Sequence, residues 1–450
     1  MIRSCAQWVV CCGLWVGCAS SPSPQGAPAS THTESRLEAR GGQAEAPASD
    51  VFAEELTPEQ AALREARRTV QRKRASAGGA RHGQLASKTA PQCAPWQLWA
   101  RFCAEFVQQD GRVVDRTAEG RSTSEGQAYG LFFALVANEP ERFARILKWT
   151  EQNLAKGSLA QHLPAWLWGQ RPGDGAYGVL DGNAASDADL WIAYALFEAS
   201  RLWGEPTYEA LAQSIARNVV RLETRRVKGL GQVLLPGPEG FALKGGAVRL
   251  NPSYLVIPQL RLLAERAPGA AWVALVESSA KVLTGSAPRG IAPDWVVYHP
   301  VKGFQDDTEH HARGSYDAIR VYLWQAMLPA RDPLASRLAV LPRAFVELIQ
   351  EAGHVPEAVH VRKGHGGAQS GPPGFWAVAQ VAATAAGQAG LAARMAEHLR
   401  QTRSGGLYGD PPTYYDQMLV LFAQGYSEAR YRFAASGQLQ LAWEAEQCAQ

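Results

Sequence analysis

Two kinds of apolar segment alternate from about residue 93 to the C-terminus. One kind is apolar on nearly every side, as in QAYGLFFALVA, DLWIAYALFEA, YLVIPQLRLLA, AIRVYLWQAML, GFWAVAQVAATAA and YYDQMLVLFA. The other kind has apolar residues at helical spacing and a charged outer face, over 95–108, 139–154, 206–223, 269–284, 332–351 and 387–401. A helix that is apolar all round has to be buried all round. The alternation therefore predicts an all-α double ring, with six inner helices forming a barrel and six outer helices around it.

The starts of the six inner helices are marked by capping or helix-breaking residues. They are predicted near Ser122, Ser186, Pro252, Ser315, Pro372 and Thr413. Because inner and outer helices alternate as hairpins, all six starts lie at the same end of the barrel. Three of them carry a carboxylate in the first turn, namely Glu125, Asp187 and Asp317. These acids are expected to converge at one rim.

Each of these acids also fits an ordinary role at a helix start. Ser122 and Glu125 have the spacing of a capping box, and a helix dipole favours an acid at the position of Asp317. Together at one rim, however, they lie among aromatic residues: Tyr129, Trp166, Trp168, Tyr254, Trp295 and Phe375. Sugar rings stack on aromatic faces, and hydrolysis of a glycosidic bond uses one protonated and one ionised acid. The rim therefore favours a glycosidase.

The N-terminus predicts export. Arg3 precedes an apolar run over about 6–16, and LWVGC resembles a bacterial lipobox with Cys18 as the lipidated residue, although Trp15 stands where Leu is usual. An ordinary signal peptide cleaved elsewhere is the alternative. Residues 19–90 are rich in Ala, Ser, Gly and Pro and predict a flexible tether with a short helix over 57–74. Residues 91–450 are predicted to be the catalytic domain.

Charge and cysteine content exclude other classes. With 45 basic and 42 acidic residues, the net charge of +3 is too balanced for a nucleic-acid partner. Once the signal is removed, Cys93, Cys103 and Cys448 remain, enough for one disulfide whose pair the sequence does not choose. Neither CxxC nor HExxH occurs, so we predict no metal and no cofactor.

The motifs at the rim resemble glycoside hydrolase family 8, most closely the endo-β-1,4-glucanases associated with bacterial cellulose synthase. The likeness spans roughly 95–445 and includes TSEGQAYG, LPAWLWG, ASDADLWIAYALFEASRLW, NPSYL, APDWV, SYDAIRVYLW and YYDQMLVLFAQG. The family signature around ASDAD departs only at Phe197, where an aliphatic residue is usual. The resemblance implies an (α/α)6 barrel and hydrolysis of cellulose-type glucan with inversion of the anomeric centre.

The same resemblance implies roles for individual residues. Glu125 corresponds to the general acid, Asp317 to the general base, and Asp187 to the acid that holds the distorted sugar and the water. Tyr254 and Arg320 are expected to orient that water and the base. Trp166, Trp168 and Trp295 are the predicted sugar platforms, with Tyr129 and Phe375 as further substrate contacts. Asp189 is interpreted as a capping residue.

Several alternatives stay open. A family 8 hydrolase could act on xylan, chitosan or mixed-linkage glucan instead, and a non-catalytic glucan-binding lipoprotein would keep the groove. Terpene cyclisation would need a DDxxD cluster, whereas Asp306 and Asp307 lie in a polar loop. Polysaccharide elimination would need a Tyr/His/Arg site, but the histidines fall mostly in predicted surface loops such as 309–311 and 354–365. The expected partners are β-1,4-glucan chains and, transiently, the cellulose synthase or export machinery. We expect a monomer that meets a membrane only through its N-terminal lipid, on the periplasmic side of the outer membrane, or else soluble in the periplasm or secreted.

Overall fold

The computed structural model describes residues 94–267 and 269–445. The predicted signal, the tether, Cys18, Cys93 and Cys448 lie outside these residues. Twelve helices of nine residues or more follow one another in the described part of the chain. They are α1 (Gln97–Phe106), α2 (Ser124–Val136), α3 (Pro140–Leu154), α4 (Ser186–Trp203), α5 (Pro206–Glu223), α6 (Ile257–Arg266), α7 (Ala271–Gly285), α8 (Ala318–Ala326), α9 (Val340–Ala352), α10 (Pro373–Ala385), α11 (Ala389–Gln401) and α12 (Tyr414–Ser427).

Burial separates the two predicted kinds of helix. In α2, every residue except Glu125 is buried, whereas α3 buries one face formed by Phe143, Ile146, Leu147, Trp149, Thr150 and Leu154. The even-numbered helices are the inner ones, and the odd-numbered helices cover them. Four of the inner helices pack together around Phe422 of α12. Its side chain contacts Phe132 and Phe133 of α2, Trp191 of α4 and Trp324 of α8. The all-α prediction of six inner and six outer helices is confirmed.

One inner helix begins later than predicted. The segment Pro252–Tyr254 forms a 3₁₀ turn, and α6 begins only at Ile257. The reason is Pro258, which has no backbone N–H to donate to the carbonyl of Tyr254 and cannot occupy a helix interior. It is accepted in the first turn of α6, where an N–H would have no partner within the helix.

Short antiparallel strands fill the connections. In chain order they are β1 (Ser122–Thr123), β2 (Ala165–Gln170), β3 (Tyr177–Ala184), β4 (Thr224–Val227), β5 (Gly231–Leu234), β6 (Val248–Leu250), β7 (Val296–His299), β8 (Gly303–Asp306), β9 (Arg313–Gly314), β10 (Val359–His360), β11 (His365–Gly366), β12 (Arg403–Ser404), β13 (Leu407–Tyr408), β14 (Tyr431–Phe433) and β15 (Leu439–Leu441). Three three-stranded sheets form, with strand orders β1-β2-β3, β6-β7-β8 and β11-β10-β9. Strands β1, β3 and β9 run into the starts of α2, α4 and α8, and β6 runs into the 3₁₀ turn before α6, so these sheets build the rim.

The opposite end of the barrel is covered by the β14–β15 hairpin. Its tip reaches Tyr194 of α4, whose hydroxyl donates to the carbonyl of Gly437 at 2.8 Å, and the Tyr431 hydroxyl donates to the carbonyl of Phe422 at 2.8 Å. Gly437 has φ +88°, and a Cβ there would lie 2.0 Å from the carbonyl oxygen of Pro258. The hairpin is therefore fitted closely against α4, α6 and α12, and Arg201 near the end of α4 donates to the carbonyl of Leu439 at 2.7 Å.

Cys103 lies in the core and forms no disulfide. Burial, chiefly, raises the pKa of its thiol well above the ordinary value. Among the described helices, none combines the length and the apolar character that crossing a membrane requires.

Candidate active site

Glu125 does not form the predicted capping box with Ser122. The cap of α2 is Thr123, whose Oγ1 accepts a hydrogen bond from the N–H of Gly126 at 3.1 Å. The Ser122 hydroxyl instead donates to the carbonyl of Val113 at 2.6 Å. The capping-box prediction is therefore wrong, and Glu125 is left at the second helical position with its carboxylate free to reach across the barrel.

Arg320 of α8 is the group that Glu125 reaches. Its Nη1 donates to a carboxylate oxygen of Glu125 and lies 3.5 Å from Oδ2 of Asp187, while its Nη2 donates to Oδ1 of Asp317 at 2.7 Å. The three predicted acids, on three different inner helices, are thus gathered by one guanidinium. The Arg320 side chain is only 4 % exposed, so these interactions are little screened by water.

The charges in this cluster do not balance if every acid is ionised. Three carboxylates face one guanidinium, and a buried site tolerates such an excess only by retaining a proton. Burial, followed by the charge of Glu125, raises the pKa of Asp187 to about 8. Burial alone would lower the pKa of Arg320, but Glu125 and its other anionic neighbours hold it well above the ordinary value. Asp187 is therefore the acid that holds a proton near neutral pH in the unliganded site.

Asp294 fixes the start of α8 and was not predicted as a site residue. Its Oδ1 accepts hydrogen bonds from the backbone N–H groups of Ser315, Asp317 and Ala318 at 2.7, 3.1 and 2.9 Å. Burial, followed by the charge of Asp317, raises the pKa of Asp294 to about 6. The predicted general base is therefore carried on a helix start that a second buried acid holds in place.

Comparison with known proteins identifies the family. The model of Glycosyl hydrolases family 8 matches residues 80–429. The chain belongs to glycoside hydrolase family 8. It is 44 % identical over 366 residues to the endoglucanase of Xanthomonas axonopodis pv. citri (strain 306). This alignment covers 81 % of the chain and 94 % of the relative.

Solved structures support the same assignment. The endo-1,4-D-glucanase from Vibrio fischeri ES114 superposes with a TM-score of 0.71 at 38 % identity, covering 78 % of this chain and all of the other. The endo-β-1,4-glucanase CMCax from Acetobacter xylinum gives a TM-score of 0.60 at 28 % identity, covering 76 % and 98 %. The predictions of the family, the fold and glycosidase chemistry are confirmed.

In this family 8 hydrolase, a second support for Arg320 comes from the NPSY segment. The Ser253 hydroxyl accepts from Nη2 of Arg320 at 3.1 Å, and it donates to Oδ1 of Asn251 at 2.7 Å. The indole N–H of Trp324 donates to the carbonyl of Ser253 at 3.0 Å. The ring of Tyr254 lies 5.8 Å from the Arg320 guanidinium carbon. Asn251 and Ser253 were not predicted as site residues, because the motif was interpreted as a helix start.

Asp189 of the hydrolase is not the predicted capping residue. Helix α4 has no side-chain cap, and the Asp189 carboxyl pairs with Glu223 at the end of α5. Both residues are fully buried, and none of the four carboxyl oxygens has a hydrogen-bond donor from another group. Two carboxylates have no donor between them, so this pair has to hold at least one proton. Burial raises the pKa of both groups well above their ordinary values.

Two of the predicted substrate contacts, Tyr129 and Phe375, are buried. The Tyr129 hydroxyl lies 3.2 Å from Nη1 of Arg320, and its ring packs edge-on against Trp191 and Phe422. Phe375 is 1 % exposed and packs against Tyr316. Tyr129 thus helps to position Arg320 in the unliganded enzyme. The roles of both residues in substrate binding stay predictions.

The predicted tryptophan platforms differ in their surroundings. Trp166 lies half-buried on β2. Trp295 is 4 % exposed, with Phe241 stacked on its ring at 5.9 Å and the Arg249 guanidinium 4.7 Å from the ring centroid. Trp168 is covered in a similar way, by Tyr177 and Arg112. Their contact with sugars also stays a prediction.

Beside Trp295, three potential metal ligands surround a cation that the chain itself supplies. Asp307, Glu309 and His310 place ligand atoms within 4.8 Å of one another. The Arg249 guanidinium lies 2.8 Å from Asp307 and from Glu309, and 3.0 Å from Nδ1 of His310. Arg249 thus occupies the position that a metal ion would take and ties this loop to β6.

Proposed function

We propose that this family 8 hydrolase is an endo-β-1,4-glucanase that cleaves cellulose-type glucan with inversion. The observation that carries the proposal is the convergence of Glu125, Asp187 and Asp317 on Arg320 at the rim of the barrel. The endoglucanase name of the Xanthomonas relative, 44 % identical to this chain, supports the choice of substrate.

In this proposal, Glu125 is the general acid and Asp317 the general base. Asp317 takes a proton from a water molecule, whose oxygen attacks the anomeric carbon from the face opposite the leaving group. Glu125 gives a proton to the glycosidic oxygen as that carbon–oxygen bond breaks, so the new reducing end is released as the α-anomer. Glu125 has the most accessible side chain of the three acids, 21 % exposed, against 13 % for Asp317 and 4 % for Asp187, which suits contact with the leaving group.

A general acid has to carry a proton when the substrate arrives. Asp187 holds one near neutral pH, and the charge of Glu125 is among the causes. Nη1 of Arg320 faces both carboxyls, and in this proposal the proton passes from Asp187 to Glu125 as the substrate binds. When a sugar replaces water at the rim, its glycosidic oxygen offers an acceptor beside Glu125. Asp187, then ionised, can accept hydrogen bonds from the sugar hydroxyls and hold the ring in its distorted form.

The test is hydrolysis of carboxymethyl-cellulose by the full-length chain, with wild type compared with Glu125→Gln. Proton NMR reads the anomer first released from a soluble cello-oligosaccharide. We expect α-anomer from the wild type and a loss of activity of at least about 100-fold in the variant. Glu277→Gln, in the exposed middle of α7, is the matched control and should keep full activity.

The same assay separates the alternatives. Release of β-anomer would refute inversion, and an active Glu125→Gln variant would refute the assignment of the acid. Xylan, chitosan and mixed-linkage glucan tested in parallel identify the substrate, and faster hydrolysis of one of them would replace cellulose in the proposal. A wild type that binds glucan but cleaves none of these polymers would indicate a binding protein.

We further propose that the enzyme works outside the cytoplasm, at the periplasmic side of the outer membrane, where it trims nascent glucan beside the cellulose synthase or export machinery. Support comes from the export signal, the lipobox at Cys18, the tether-like residues 19–90 and the resemblance to synthase-associated enzymes. Mass spectrometry of the membrane-extracted protein tests the anchor, and an unmodified Cys18 or a different mature start would refute it. Light scattering during size-exclusion chromatography tests the expected monomer.

A further inference from the structure

The β2–β3 hairpin exposes an unusual amount of apolar surface. Tyr177, Val179 and Leu180, within four residues of β3, are 54 %, 41 % and 38 % exposed. Single exposed apolar residues are ordinary on protein surfaces, but adjacent ones next to a site indicate binding. The hairpin belongs to the rim, since β1 pairs with β2 and runs directly into α2.

Tyr177 is held rigidly despite its exposure. Its ring stacks on Trp168 with centroids 5.1 Å apart and an angle of 20° between the planes. The Arg112 guanidinium lies 4.2 Å from the Trp168 centroid and 5.3 Å from the Tyr177 centroid. Arg112 is fixed in turn, because its Nε donates to the Ser122 hydroxyl at 2.8 Å. An aromatic face that is already ordered loses little conformational entropy when a ligand covers it.

The position of this stack relative to Glu125 follows from the strand register. Trp168 pairs with Ser122, and Glu125 comes three residues after Ser122. Paired strand residues lie about 5 Å apart, and three residues span at most about 10 Å. The Cα atom of Trp168 therefore lies within about 15 Å of that of Glu125, on the side of the site where the chain enters α2. A ring stacked on Trp168 is therefore near enough to the acids for one bound polymer to reach both.

We propose that Tyr177 is a stacking platform for a glucosyl unit of the bound chain away from the scissile bond, with Trp168 and Arg112 as its positioning residues. This inference rests on the proposed glucanase function and names a binding residue outside the predicted set. The pyranose rings of a β-1,4-glucan present C–H groups on both faces, which suit an exposed aromatic ring. Trp168, which was predicted as a platform, is the support because Tyr177 and Arg112 cover its ring.

The test is kcat/KM of the full-length enzyme on soluble cello-oligosaccharides of increasing length. Covering roughly 50 Å² of apolar ring face corresponds to about a tenfold gain in affinity. We expect Tyr177→Ala to lower kcat/KM about tenfold on cellohexaose and to leave it within about twofold on the shortest oligosaccharide that the wild type cleaves. Tyr177→Phe, which keeps the ring, should stay within about threefold of the wild type at every length. Val273→Ala, at an exposed apolar residue of the outer helix α7, is the matched control and should show no dependence on length.

Each other outcome overturns the platform. An equal loss at all lengths would mean that Tyr177 acts only through Arg112 and the start of α2, and no loss at any length would mean that it does not touch the glucan. A length-dependent loss in Val273→Ala as well would show that the effect is not specific to Tyr177. A wild type that cleaves no oligosaccharide or polymeric glucan overturns the proposed function, and the platform with it. If the wild type is active but the loss of kcat/KM in Tyr177→Ala does not depend on oligosaccharide length, the platform is overturned and the glucanase function stands.

Discussion

Replacing Asp187 by Asn should stabilise the enzyme while abolishing its activity. Asp187 is almost fully buried, and its raised pKa means that the native fold favours the neutral side chain. Asn is neutral and of nearly the same shape, and its Oδ1 can still accept the hydrogen bond that the N–H of Ala188 donates to Asp187 at 2.8 Å. The variant therefore removes the free-energy cost of burying an ionisable carboxyl without disturbing the packing.

The size of the gain depends on pH in a defined direction. The pKa of Asp187 rises from 3.8 to about 8 on folding. The proton is thus bound more tightly by the folded chain, so its contribution to stability is complete below about pH 4 and is lost as the pH rises towards 8. Between pH 4 and pH 7, about three units at 1.36 kcal/mol each amount to about 4 kcal/mol. The free energy of unfolding of Asp187→Asn should therefore exceed that of the wild type by about 2–4 kcal/mol at pH 7 and by less than about 1 kcal/mol at pH 4.

Urea unfolding followed by tryptophan fluorescence, at pH 4, 5.5 and 7, measures this difference. Glu277→Gln is the control for loss of a carboxylate and should differ from the wild type by less than about 0.5 kcal/mol at each pH. A variant less stable than the wild type at pH 7, or a difference that does not change with pH, would show that Asp187 is not held in its neutral form by the fold.

Three further variants test the supports around the site. Arg320→Lys keeps the positive charge but loses the planar guanidinium that joins the carboxylates, so kcat on carboxymethyl-cellulose should fall at least about 100-fold. A smaller loss would show that the bridge between the carboxylates is not needed for catalysis. Asp294→Ala leaves the N–H groups at the start of α8, including that of Asp317, without their acceptor. Urea unfolding should show a loss of about 2–4 kcal/mol in the free energy of unfolding. Asp294→Asn keeps an acceptor and should lose less. In Glu223→Gln the amide N–H₂ can donate to an ionised Asp189, so the pair no longer needs a bound proton. The free energy of unfolding of this variant relative to the wild type should therefore rise between pH 5 and pH 8. Parallel pH profiles of the two proteins would contradict the shared proton.

The helical framework could be predicted from the sequence because it depends on local periodicity. The outer segment predicted over 206–223 is the helix Pro206–Glu223, and the inner helix predicted from Ser186 begins there. A segment that is apolar on every side has only one stable place in a water-soluble domain, and alternation with amphipathic partners leaves few arrangements.

The roles of individual polar residues were harder to predict, because their partners are distant in the chain. Ser122 and Glu125 match a capping box locally, but Arg320, 195 residues away, takes the Glu125 carboxylate. Asp189 likewise looks like a capping residue until α5 places Glu223 beside it. A local pattern states which hydrogen bonds are available within a helix start. It does not show a buried partner from a distant helix, which is a guanidinium for Glu125 and a second carboxyl for Asp189.

Asp294 and Asn251 were missed for a related reason. Both lie in connections between elements, and each supports a neighbour of Arg320 through hydrogen bonds rather than by meeting the substrate. Sequence alone assigns such residues to turns, where Asp and Asn are common. The family resemblance identified the three acids and Arg320, but three-dimensional contacts were needed to reveal what holds them in place.

The β14–β15 hairpin limits how a long polymer can use this barrel. Because its tip is fitted against α4, α6 and α12, and the buried rings of Phe132, Trp191 and Phe422 fill the interior, a polysaccharide cannot pass along the barrel axis. A chain has to be laid across the mouth from the side, and no free terminus has to be found and threaded before a bond is cut. Under such a geometry the number of reachable bonds grows with polymer length, and a few cuts shorten the average molecule sharply. The viscosity of a glucan solution would then fall well before much reducing sugar accumulates.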